Sequence, residues 1–268
     1  MNAVLKKGFG LGSSLLVKAA TLIAIIFMAG PALFIAVISF SEDSVLKFPV
    51  TSWGFGRYVE VFTSGTWGPP LLLSAQIAAL TAIGALVVVV PAVFGIKRSL
   101  LPGRSMVEGA AIAPLLFPIS AFAVGLYGVF AQFNLLGTFE GIVMAHVIHG
   151  IPMVMIILAA AFDQVRPELE LAAMTMGANR LKAWTTITLK LLTPSFAAAA
   201  LFGFVSSFDE AVLISFLGGT GLTTLPKYIF DSVQFGVDPS ITAIATLLMV
   251  TTAALMLGAT ALRKKDTQ

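Results

Sequence analysis

The two histidines of the chain, His146 and His149, stand three residues apart, a spacing that puts both on one face of a helix. Such a pair could supply half of a helical metal site. No Cys is present to complete it, and neither histidine belongs to an H-E-x-x-H sequence. A packed histidine bonded to backbone or water explains the pair more simply. Nucleophilic chemistry has no better footing, because no Ser sits in a G-x-S-x-G turn and no thiol exists. A G-x-x-x-x-G-K-[ST] phosphate loop is also missing, so ATP binding and hydrolysis are not expected on this chain. There remain two adjacent carboxylates, Asp209 and Glu210, in a run with no other charge between Lys190 and Lys227. An ionised carboxylate facing lipid costs at least about 2.5 kcal/mol, so intramembrane acids face a cavity or a partner. Two readings stay open. Asp209 lines a translocation path and meets a cationic solute, or the pair caps the Gly-rich turn that follows or meets a partner subunit.

The elements that must position these groups are set by composition. Of 268 residues, 58% are apolar (AVILMFWYC) and 11% charged, against about 25% charged in soluble domains. Mean hydropathy is +0.98. So few charges cannot cover a soluble core, and lipid is the solvent that accepts an apolar exterior. The uncharged stretches 19–41, 61–96, 109–139, 141–162 and 239–262 each exceed the roughly 20 residues that cross a bilayer as a helix. The acid-bearing stretch 191–226 makes a sixth. The expected fold is an all-α integral membrane protein of one domain, with six transmembrane helices near 15–40, 70–96, 109–132, 141–162, 191–217 and 239–262. If the fifth begins near Lys190–Pro194, Asp209 lies roughly 22–28 Å along it, in the outer half of the bilayer. Ala121 and Gly125, four apart, mark a place for close helix packing.

Charge placement orients these spans. Thirteen of the 16 Lys and Arg fall before span 1, between spans 2 and 3, between spans 4 and 5, and after span 6. The opposite side holds Lys47, Arg57 and Lys227. Excess Lys/Arg marks cytoplasmic loops, so both termini are expected in the cytoplasm. The basic surplus therefore reports topology rather than a nucleic-acid partner. Span 1 is longer than a signal-peptide core and ends in no small-x-small site, so its retention is expected. The outer segment 42–67, with Trp53, Phe55, Tyr58 and Trp67, suits a packed interfacial loop.

One inner loop is long. Residues 163–190 read as helix–Gly–helix: Pro167 opens a first turn carrying Glu168 and Glu170, and Gly177 interrupts the apolar spacing, which resumes at Leu181 and Trp184. A short amphipathic pair outside the bilayer packs either on its own helix ends or into another protein. Here the sequence resembles the permease subunits of ABC importers. Ala172-Ala173, three residues, Gly177, nine residues and Ile187-x-Leu189 are similar to that family's Glu-Ala-Ala loop. The family's Glu is Leu171 here, with Glu170 one place earlier, and its final Pro is Lys190. Pro114, Pro118, and His146 with Ile151-Pro152 also look like this family. Ser207-Phe208-Asp209-Glu210, Thr224-Leu225-Pro226 and Gly236-Val237-Asp238-Pro239-Ser240 look like its spermidine/putrescine-type branch.

The resemblance implies a multi-pass permease in the bacterial inner membrane. Its inner loop would dock, through Glu170, Ala172, Ala173, Gly177, Ile187 and Leu189, on a cytoplasmic ABC ATPase dimer that binds ATP and Mg. No cofactor is expected on this chain. A second related permease would enclose the path, a periplasmic binding protein would deliver solute, and transport would proceed by alternating access. Polyamine-like cations are the favoured cargo; another small amine, opine, amino acid or phosphonate is the alternative. A secondary transporter would also be helical with buried acids, but would show inverted repeats with broken helices.

Overall fold

The computed structural model describes residues 2–98, 102–236 and 238–265, with side chains over 17–98, 102–236 and 238–254. Among these residues the secondary structure is helical, apart from an isolated bridge between Ser41 and Trp53. The first half of the order is α1 (Asn2–Ile38), α2 (Gly56–Thr63), α3 (Gly68–Arg98), α4 (Arg104–Ile112), α5 (Ile119–Gln132) and α6 (Phe139–Gln164). The second half is α7 (Pro167–Thr175), α8 (Arg180–Ala183), α9 (Leu189–Phe208), α10 (Val212–Leu217), α11 (Leu225–Phe235) and α12 (Ile241–Lys265).

Among the described residues, four apolar helical runs are long enough to cross a membrane: Val17–Ile38 in α1, α3, α6, and Arg180–Phe208. A fifth is the α4–α5 pair, if its two parts form one span; they are bent by 112°. The bend has a local cause. Pro118 lacks an N–H and bars the helical conformation at the residue before it, and Phe117 is accordingly extended. In α12, which runs to Lys265, the residues with described side chains are apolar over Ile241–Ala254. Over 191–217 the helix stops at Phe208 and restarts at Val212.

Residues 68–231 form one compact unit, centred on α3, α6 and α9. Ala85, Val89 and Val93 of α3 pack with Val154, Met155, Leu158 and Phe162 of α6 and with Leu192 and Ala199 of α9. Ile77, Ala123, Ile142, Leu213 and Leu217 make a second cluster joining α3, α5, α6 and α10. Small residues allow the close approach. A Cβ on Gly203 would meet Val154 Cγ2 at 3.4 Å and Ala82 Cα at 3.5 Å, and one on Gly84 would meet Val147 Cγ2 at 2.7 Å. The close contact expected at Gly125 is not made within the chain, since a Cβ there meets nothing within 4 Å. Many large apolar side chains point outward, among them Leu72, Val87 and Leu201. That outward apolar surface suits lipid.

The other unit joins the first 67 residues to those from Ser232 onward. Buried Arg57 organises it. Its guanidinium donates to Ile38 O at 3.0 Å, to Thr242 Oγ1 at 3.2 Å and to Asp43 O at 2.9 Å, satisfying a carbonyl that the end of α1 leaves open. Trp67, 2% exposed, donates through Nε1 to Ser240 Oγ at 3.1 Å. Asp238 in turn accepts from Ser240 N and Oγ. Phe40, Phe55 and Tyr58 form a ring cluster with centroids 5.2–6.1 Å apart. Asp43 accepts from the Thr51 hydroxyl, Thr51 N and Ser52 Oγ. The Thr51 hydroxyl first, then Thr51 N, holds its carboxyl well below the usual range, with Ser52 and Lys47 adding to the effect.

Candidate functional site

The inner loop is built from local rules. Pro167 stands at the first position of α7, with Glu168 and Glu170 in its first turn. The helix ends in a Schellman arrangement: Gly177 N donates to Met174 O and Ala178 N to Ala173 O, both at 3.0 Å. Gly177 has φ +94°, which an L side chain adopts only with strain. A Cβ there would meet nothing within 4 Å, so conformation, not crowding within the chain, favours glycine. Asn179 caps α8 by accepting from Lys182 N at 2.8 Å. A π-turn at Trp184–Thr188 then feeds α9, with the Trp184 ring 4.2 Å from Phe94 of α3.

The side chains of this loop divide between two directions. Leu169, Leu171, Met174, Met176 and Leu181 are exposed, Met176 to 89%, and Ala172 and Gly177 are exposed beside them. Ala173, Ile187 and Leu189 are half-buried. Glu170 is 9% exposed and turns toward the chain's own helices. Its Oε1 accepts from Arg98 Nε at 2.9 Å and from the Thr188 hydroxyl. Arg98 Nη2 donates to Val165 O at 2.9 Å, and its guanidinium lies 5.5 Å from the Phe162 ring centroid. Glu170, expected among the docking residues, is engaged within the chain in an internal ion pair. Removing one partner of a buried pair costs about 3–5 kcal/mol.

The second group lies where α9 stops. The side chain of Glu210 is used locally, its Oε1 accepting from Val212 N at 2.5 Å and Leu213 N at 3.0 Å, a cap for α10. Asp209 is exposed, and among the described residues its carboxylate has no hydrogen bond or ion pair. The two acids thus diverge. Buried His146 shares a 2.8 Å hydrogen bond through Nδ1 with Ser207 Oγ, which reaches Thr81 Oγ1 at 3.2 Å. If the Ser207 hydrogen goes to Thr81, His146 donates through Nδ1 and Nε2 is a bare acceptor; no partner reaches that nitrogen among the described residues. This chain of three polar groups ties α3, α6 and α9 together, with Ser207 two positions before Asp209. His149 lies 6.1 Å from the Phe122 ring and within electrostatic reach of Glu210.

Sequence patterns point to Asp209, Glu210 and the loop, and Ser207 falls in the Ser207-Phe208-Asp209-Glu210 run, but no pattern gives a role to Arg98, Thr188 or Thr81. A basic residue closing span 2, level with an acid-rich inner loop, is the available signal for Arg98. Thr188 and Thr81 carry none, since hydroxyl residues are common in such helices.

Residues 88–265 match the family described as binding-protein-dependent transport system inner membrane component. The chain is 29% identical over 235 residues to the putrescine transport system permease protein PotI of Escherichia coli (strain K12), covering 85% of this chain and 83% of that one. It is 26% identical over 237 residues to the spermidine/putrescine transport system permease protein PotC of Haemophilus influenzae, covering 88% and 91%. In fold it is similar to a chain of a bacterial alginate ABC transporter solved with an alginate pentasaccharide-bound periplasmic protein. That likeness has TM-score 0.72 and 17% identity over 98% of this chain and 97% of that one.

Proposed function

The chain belongs to the family of binding-protein-dependent transport system inner membrane components, and from that premise we propose that it is the permease subunit of an ATP-driven importer of polyamine-like cations. Six spans with both termini in the cytoplasm are part of this reading, supported by the placement of 13 of 16 basic residues. The other parts are a second related permease, a periplasmic binding protein that delivers the solute, and a cytoplasmic ATPase dimer.

The observation that carries the reading is the inner loop. It lies inside the matched region, and its exposed Leu169, Leu171, Met176 and Leu181 offer an apolar face with no cover from the described chain. Closure of the ATPases on ATP would push this loop and swing the helices as rigid bodies, opening the path outward. Hydrolysis would return it inward. The permease need hold solute only weakly, because a ligand shifts the two states solely by its differential affinity for them.

Cargo is read from Asp209 and from the relatives named for putrescine and spermidine. A carboxylate at the end of α9, without a partner among the described residues, attracts a cation and repels an anion. The test is uptake of radiolabelled putrescine into proteoliposomes holding the assembled complex, with unlabelled spermidine, a neutral sugar and an anionic phosphonate as competitors. Competition by spermidine alone is the expected result; competition by the phosphonate or the sugar and not by spermidine would overturn the cargo assignment.

A further inference from the structure

We infer that Arg98, Glu170 and Thr188 form a clasp that transmits movement of the inner loop to α3, α6 and α9, making Glu170 a positioning residue for coupling rather than part of the docking face. This rests on the reading of that loop as the ATPase-docking element. Among the described residues, Glu170 is the residue through which α7 makes side-chain hydrogen bonds to other elements. Its single oxygen Oε1 is shared by the last residue of α3 and by the π-turn that leads into α9. The same Arg98 guanidinium bonds Val165 O and lies against Phe162 at the end of α6. Arg180, opening α8, donates back to Arg98 O. One cation and one carboxylate thus connect the loop to the inner ends of the three helices that pack as the core of this unit.

The burial of the clasp separates it from its neighbours. Arg98 and Glu170 side chains are 11% and 12% exposed, whereas Arg166 and Glu168, the next pair along, are 78% and 66% exposed. Water screens and loosens the second pair; the first is held in a low-dielectric site where a displaced partner drags the other. Without the clasp, α7 could slide on its apolar contacts while the helices stayed still. ATP would then be hydrolysed without transport.

The test uses the reconstituted complex of this chain with its ATPase, second permease and binding protein. It reads putrescine taken up per ATP hydrolysed, together with retention of the ATPase on purification. Glu170→Gln is expected to keep the ATPase bound and active but lower the uptake-to-hydrolysis ratio about tenfold or more, the weight of one hydrogen bond to a charged group. Arg98→Lys, which keeps charge but loses the fork, should behave alike. Thr188→Val should shift the ratio in the same direction by less, and Glu170→Asp should restore part of it. A normal ratio in Glu170→Gln would overturn the clasp, as would joint loss of ATPase and uptake, which marks mere support of the docking surface. Failure of the unaltered chain to hold an ATPase would instead defeat the docking reading, and the clasp with it.

Discussion

Asp209 and Glu210 show how far identical chemistry can part at neighbouring positions. Glu210 satisfies two backbone N–H groups at the start of α10, so its loss acts through the local fold. Asp209 has no such duty. Asp209→Asn is expected to leave complex assembly intact and to lower uptake of a divalent cation such as putrescine roughly tenfold, about 1.4 kcal/mol of lost attraction. Unchanged uptake at equal membrane level would remove Asp209 from the path. Asp43, in the outer loop, gives a pH prediction. Its folded carboxyl titrates well below the ordinary value, chiefly because of the Thr51 hydroxyl and Thr51 N. A depressed folded value means that this stabilisation is full above the unfolded pKa, about 3.9. It is lost as pH falls below that toward the folded value. The amide protection factors of residues 43–52, corrected for the intrinsic pH dependence of exchange, should therefore be flat from neutral pH to about pH 5 and fall below about pH 4. In Asp43→Asn the same amides should be poorly protected throughout.

Elements carry the next layer. Gly177 ends α7 in a left-handed conformation with open space around it, which separates strain from bulk experimentally. Gly177→Asn tolerates that conformation and should retain most transport. Gly177→Trp, projecting into a docked partner, should abolish uptake while the chain remains inserted. Equal transport by the two variants would contradict docking at this turn. Close packing of α3, α6 and α9 predicts that Gly203→Leu destabilises the purified complex by about 1–3 kcal/mol through overpacking, read as a lower thermal midpoint. Much of this layer was legible in the sequence. Charge-free length marks the apolar helices, and Pro167 and Gly177 mark the turns of the inner loop; the Asn179 cap of α8 is seen only in the structure. The break at Asp209–Ala211 was not foreseen, because apolar composition on both sides read as one span, whereas a carboxylate able to cap a new turn ends it. The inward turn of Glu170 was hidden too. Sequence placed it beside the Ala pair of a docking motif, and only the third dimension brings Arg98, 72 positions earlier, to its oxygen.

At the scale of the molecule, the few charges divide into three groups. Basic residues at the inner ends set the chain's expected orientation, the Arg98–Glu170 pair binds loop to helices, and Asp209, exposed and without a partner among the described residues, is the carboxylate proposed to meet a cation. The apolar majority, turned outward over much of α1, α3 and α9, makes lipid the medium in which those groups act. On the proposed reading, transport is powered from outside this chain, by an ATPase docked on the exposed face of the inner loop; the sequence carries no phosphate loop of its own. The central claim is therefore an energetic one, and the most direct measurement is putrescine uptake into proteoliposomes containing the complex, with ATP supplied to the ATPase side. Uptake that requires ATP, stops with vanadate and ignores a collapsed proton gradient is the predicted result. Uptake that persists without ATP and follows the proton gradient would contradict it.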